Sequence, residues 1–142
     1  MAQASYPVCV LTFVFALPIV IADYSTRKIP NIYIIFYSYL CSISLFVRGF
    51  PQINTVVCAV LILTLCAFTG AGMGDIKLLL LIILFIRPQS IKEVLSFFLM
   101  VFAVCTAEIA ITCFATKAFA RTIAMAPSIF IGTGLYLATN SL

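Results

Sequence analysis

The sequence predicts an all-α integral membrane protein, a polytopic bundle of about six transmembrane helices, on three observations. Of its 142 residues, 65% are hydrophobic and only 8% are charged, whereas an average soluble domain is about 25% charged. The apolar residues fall into six runs, about 6–22, 32–47, 53–69, 76–87, 93–115 and 122–139. The breaks between runs are Asp23 to Asn31, Arg48-Gly49-Phe50-Pro51-Gln52, a glycine tract from Gly70 to Asp75, Arg87-Pro88-Gln89-Ser90, and Thr116 to Arg121. Proline, glycine and charge mark each break as a turn. The length suits about six minimal spans of roughly 20 residues with short connections and leaves no room for a separate soluble domain. The whole chain, 1–142, is therefore expected to be one transmembrane domain.

The first run ends in Val20-Ile21-Ala22, which would satisfy a signal-cleavage rule, but no basic residue precedes it. It is expected to be a retained span. Pro18 removes one helical hydrogen bond inside it and offers a kink that would re-aim Asp23. Pro30 and Asn31 are expected to open the second helix, because proline suits a first turn where its missing N–H is not needed; Asn31 could alternatively hydrogen-bond across a site. Tyr33, Phe36, Tyr37 and Tyr39 fit lipid-facing or interfacial packing. The fourth run, Ile76 to Arg87, is the oddity. At about 12 residues it rises only about 18 Å against a hydrocarbon core of roughly 30 Å. Something upstream must share that crossing. If the glycine tract supplies it, irregular backbone lies at membrane depth, where protein or a water-filled cavity has to cover it, and Asp75 sits inside the membrane border. The fifth run holds Glu108 well inside its length, either paired for packing or engaged in substrate selection or proton movement.

Composition excludes several classes. A net charge of +4 on scattered residues gives no nucleic-acid surface. Six cysteines lie inside apolar runs with no Cys-x-x-Cys pair, and histidine is absent, so no metal, cofactor or disulfide framework is expected. The cysteines read as small, polarisable packing residues. Strict alternation of six spans places the end of span one, the start of span four and the start of span six on one membrane face. That face carries Arg27, Lys28, Lys77, Lys117 and Arg121, against Arg48, Arg87 and Lys92 on the other. The excess makes it cytoplasmic, in a cell inner membrane, and puts both termini on the extracytoplasmic side.

Asp23 and Asp75, the only aspartates in the chain, are thereby predicted to share that face. A carboxylate at or near bilayer depth is costly and is a functional-site candidate by default, although a lone aspartate at a helix end can also simply meet the interface. Gly70, Gly72 and Gly74 around Asp75 permit a close approach of another chain segment. Two carboxylates in one low-dielectric site share a proton, one becoming acid and the other base. The base can then activate a water against a peptide carbonyl while the acid hydrogen-bonds the developing oxyanion. Lys77, two positions on, either anchors the interface by snorkelling or holds the loop and biases the acidity of the site.

Gly72-Met73-Gly74-Asp75-Ile76-Lys77 resembles the Gly-x-Gly-Asp-x-Lys signature of prepilin-type leader peptidases, the bilayer-embedded aspartic proteases of bacteria and archaea. Asp23, with Arg27, Ile29, Pro30 and Asn31, resembles that family's first catalytic segment, an aspartate followed by a basic residue and Ile-Pro-Asn. Ala126-Pro127-Ser128-Ile129-Phe130-Ile131-Gly132 is similar to its Gly-Pro-x-x-x-x-Gly segment, with Ala126 in place of the first glycine. Gly-x-Gly-Asp alone is weakly specific; the three segments in this order span essentially the whole chain.

The resemblance implies that Asp23 and Asp75 are the catalytic pair of an aspartic endopeptidase. Gly72, Gly74, Lys77, Arg27, Pro30, Asn31 and Pro127 would shape the site or bind substrate. The implied substrate is a pilin or flagellin-like precursor, cut where its basic leader joins its apolar helix at the cytoplasmic border. The paired Cys-x-x-Cys loop of the larger members has no counterpart here, so cleavage without N-methylation is expected. The likeness does not choose between tight-adherence pilus peptidases and archaeal preflagellin peptidases, and homo-oligomerisation is left open. Two rivals stand beside it: a six-span ion-coupled transporter with Asp23, Asp75 and Glu108 as a relay, and a catalytically silent subunit of a pilus assembly.

Overall fold

The computed structural model describes residues 5–26, 29–68, 70–116 and 125–140. Among these are six α-helices and no strand: α1 (Ser5–Thr26), α2 (Asn31–Arg48), α3 (Ile53–Phe68), α4 (Met73–Ile86), α5 (Ile91–Thr116) and α6 (Ala126–Asn140). Each corresponds to one predicted apolar run, and the differences lie at the ends that carry the aspartates. α1 continues through Pro18 to Thr26, so Asp23 lies inside the helix and not in the break after it. The Ser25 and Thr26 hydroxyls both donate to the Ala22 carbonyl, at 3.1 and 2.8 Å, occupying an acceptor that a helix end otherwise leaves orphaned. α4 begins at Met73, which makes Gly74 and Asp75 helical and reduces the break before them to Gly70–Gly72. Gly70 takes a left-handed φ of +91° there, a turn that glycine makes without strain. The glycine tract thus contributes to the fourth element partly as helix, giving 14 residues and a rise of about 21 Å.

Among the described residues, two helices are long and apolar enough to cross a membrane by length and composition, Asn31–Arg48 and Ile91–Ala115. Thr12–Thr26, Ile53–Phe68 and Ala126–Thr139 are apolar but shorter. The chain divides into two compact units, Ile29–Leu95 and Met1–Lys28 with Ser96–Leu142.

In Ile29–Leu95, α4 packs against both α2 and α3. Leu78, Leu79, Ile82, Ile83 and Phe85 of α4 are buried, which is why its sequence is apolar on every side. Tyr37 of α2 meets Phe85 at a ring separation of 5.7 Å, and the Cys41 thiol donates to the Leu81 carbonyl. Gly74 at the start of α4 faces Ile29, just before α2: a Cβ there would lie 3.3 Å from the Ile29 Cβ. At the other end Arg87, in the left-handed conformation, donates from its guanidinium to the carbonyls of Arg48 and Phe50. These two contacts fix an up-down-up order in which α2 and α4 begin at the same end. A Ser90/Glu93 pair starts α5 in the manner of a capping box, with Glu93 N–H donating to Ser90 Oγ at 3.3 Å and Gln89 N–H to Glu93 Oε2 at 2.8 Å.

In the other unit, α6 runs antiparallel to α1 and to α5. Gly134 faces the Phe13 ring of α1, where a Cβ would stand 3.0 Å from the ring, and Gly132 lies so close to α5 that a Cβ would stand 2.7 Å from the Val101 Cα. One turn further, Phe97 and Tyr136 meet edge to face at 5.5 Å. Ile19, Val101 and Ile129 form the buried centre.

Candidate functional site

Asp23 is 5% exposed, a burial that a carboxylate tolerates only with hydrogen-bond partners. Its partner comes from the start of α6. A helix leaves its first N–H groups unsatisfied, and they are normally capped by a Ser, Thr, Asp or Asn side chain at the preceding position. Here that position is Met125, whose carbonyl accepts the first helical bond from Ile129 N–H at 3.0 Å but whose side chain offers no cap. Pro127 has no N–H to satisfy. Of the amides that remain, Ala126 N–H donates to Asp23 Oδ2 at 2.9 Å. Asp23 therefore caps α6 from 103 residues away, at the helix end whose unsatisfied N–H groups form the positive pole of the dipole. A hydrogen bond to a charged group of this kind contributes about 1.5–3 kcal/mol.

Asp75 is held by different means. It is the third residue of α4 and lies in the helix's first turn, where negative charge is stabilised by about 0.3–1 kcal/mol. Its carboxylate folds back over Gly72, whose own Cβ, if present, would lie 2.7 Å from Asp75 Oδ2. Gly72 thus supplies room for the carboxylate, and Gly74 supplies room for Ile29. Asp75 is half-buried.

The other predicted site residues divide by unit. Pro30 stands at the N-cap of α2 in extended conformation, with Tyr33 N–H donating to its carbonyl at 3.1 Å, and Asn31 follows as an exposed first helical residue. Both lie one or two positions from Ile29, so the Ile-Pro-Asn segment and the Gly-x-Gly-Asp segment share one end of their unit. Lys77 is exposed and lies about 200° around α4 from Asp75. Pro127 sits beside the amide that Asp23 accepts. Arg27 lies outside the described residues, as do Lys28, Lys117 and Arg121.

Sequence reasoning missed three participants: Ile29 as the neighbour of Gly74, Ala126 N–H as the partner of Asp23, and Ser128, whose hydroxyl donates to Glu108 Oε2. Only the second had a signal, since Pro127 just inside a helix preceded by a residue without a capping atom leaves an amide for something else to take. Among the described residues no group of three or more histidine, cysteine or acidic side chains could hold a metal ion. No protein-family model, curated protein or solved structure matches the chain.

Proposed function

We propose that this chain is a membrane-embedded aspartic endopeptidase that removes the basic leader from pilin-like precursors at the cytoplasmic face of an inner membrane. The observation that carries the proposal is the setting of Asp23: a buried carboxylate on α1 tied to the first amide of α6. It joins two of the three segments that resemble the peptidase family. In this reading Asp23 and Asp75 divide the roles of acid and base. The base takes a proton from water, the water oxygen bonds to the scissile carbonyl carbon, and the acid hydrogen-bonds the oxyanion before the leaving amine takes up a proton. No covalent intermediate is required.

A six-span arrangement is part of the proposal. Large apolar side chains stand exposed on the outer faces, among them Leu17, Phe46, Leu65, Leu99 and Leu135, more than a water-facing monomer ordinarily shows. The shorter helices would be accommodated by local thinning of the bilayer and by flanking residues that reach the interface.

The test is to co-express the chain with pilin precursors of tight-adherence and archaeal type and to follow precursor size with wild type, Asp23→Asn and Asp75→Asn, each present at wild-type level. Cleavage by wild type and by neither variant is the expected result, with an unmethylated product N-terminus by mass spectrometry. A variant that still cleaves fully removes its aspartate from the mechanism.

A further inference from the structure

Glu108 is left over from the dyad chemistry, and its contacts connect it to that chemistry. It lies in the interior of the 26-residue α5, half-buried, where a carboxylate is costly. Its side chain accepts from the hydroxyl of Ser128, which is 1% exposed. Ser128 is the third residue of α6, so no helical carbonyl stands four residues before it, whereas Thr133, five residues further, bonds back to the Ile129 carbonyl at 2.6 Å. Glu108 is the acceptor that ties this first turn of α6 to α5.

Ser128 is two residues from Ala126, whose N–H donates to Asp23. The residue between them is Pro127, with a fixed φ and no N–H, so Ala126 to Ser128 is a stiff link. Anchoring Ser128 sets where the Ala126 amide points. Further along, α6 rests on α5 through Gly132 against the Val101 backbone and through Tyr136 against Phe97. The Ser128–Glu108 hydrogen bond is directional, and it lies nearer the helix start than either of those contacts.

We propose that Glu108 is a positioning residue for Asp23, acting through Ser128 and the first turn of α6. The inference rests on the reading of Asp23 as a catalytic carboxylate, but its geometry can be tested without any substrate. Replacement of a positioning group shifts a reacting atom by a fraction of an ångström to an ångström, which lowers turnover without removing substrate binding.

The experiment uses the full chain in lipid nanodiscs, labelled with carbonyl-13C methionine and 15N alanine. The only Met-Ala pairs are Met1-Ala2 and Met125-Ala126, so the carbonyl-selected amide spectrum reports Ala126 with one other signal, assigned by Met125→Leu. Asp23→Ala gives the position of the Ala126 peak without its carboxylate. Glu108→Ala and Ser128→Ala are expected to move the peak toward that position by similar amounts, and the double variant to move it no further. Glu108→Gln, which keeps an acceptor for Ser128, is expected to leave it near wild type. With a cleavable pilin, kcat falls about 10-fold in Glu108→Ala and Ser128→Ala with KM little changed, and Glu108→Gln restores most of it. An Ala126 peak unmoved in Ser128→Ala overturns the proposal, as does a Glu108→Gln peak displaced as far as Asp23→Ala. If Glu108→Ala does not fold, Ser128→Ala and Glu108→Gln decide between those outcomes. Absence of any cleavage by wild type would instead remove the peptidase reading and leave the amide result standing.

Discussion

Asp23 and Asp75 sit at helix starts of opposite kind. Asp75 is in the first turn of its own helix, and the groups that shape its position, Gly72 and the α4 N-terminus, are within three residues of it. Asp23 is in the last turn of α1, where its own helix offers it the unfavourable negative end of the dipole. It is placed by the start of α6, 103 residues further on. Local groups shape the position of one carboxylate, and the start of a distant helix is capped by the other. The lesson is that two chemically similar residues can be placed in different ways: Asp23 caps a helix start far along the chain, and Asp75 lies in the first turn of its own helix.

Several substitutions would sharpen or break that contrast. The largest effect is on cleavage. In the proposed mechanism Asp23→Asn and Asp75→Asn each remove a proton-transfer group, with an expected loss on the order of 10³-fold, about 4 kcal/mol of barrier, in a precursor-processing assay. If only one variant loses activity, the pairing is broken. Next comes stability. Asp23→Ala leaves the Ala126 amide buried without its acceptor and is expected to lower unfolding stability in detergent by about 1.5–3 kcal/mol. Asp23→Asn retains a carbonyl oxygen and should lose about half of that. Asp75→Ala forfeits the dipole interaction, about 0.3–1 kcal/mol, together with any other partner of its carboxylate, and the difference between the two alanine variants measures how far their anchoring differs.

A smaller effect isolates function from fold. The Cβ of Gly72→Ala would meet the far end of the Asp75 side chain and no backbone atom, so the carboxylate is displaced while the helix remains. Cleavage is expected to fall about 10-fold, roughly 1.4 kcal/mol, with the melting temperature unchanged. Smallest is Gly74→Ala, where a 3.3 Å approach to Ile29 opposes a helix-propensity gain of about 0.8–1 kcal/mol. The net change is expected to stay within about 1 kcal/mol, and a loss of several would mean that Ile29 cannot yield.

Much of the local architecture was legible in advance. Hydrocarbon runs interrupted by Gly, Pro and charge located six helices, because backbone hydrogen bonding within a run and breakers between runs are both encoded over a few residues. The ends were less legible. Placing Asp23 and Asp75 in breaks underestimated α1 by four residues and α4 by three, since charge and glycine lower a hydropathy average without ending a helix. Ser25 and Thr26 bonding back to Ala22, and Gly72 serving as N-cap, set the actual limits.

What the sequence by itself determined is therefore the helical class, the number of elements, and the identity of the two aspartates as unusual groups in an apolar chain. These follow from composition and short-range periodicity. Only the tertiary structure decided that Asp23 serves the α6 amide, that Glu108 is taken up by Ser128, that Gly132 admits the α5 backbone, and that Gly74 admits Ile29. Each of those depends on the azimuth of one helix against another. That angle is set by the summed packing of many weak contacts, and no single stretch of the chain carries it.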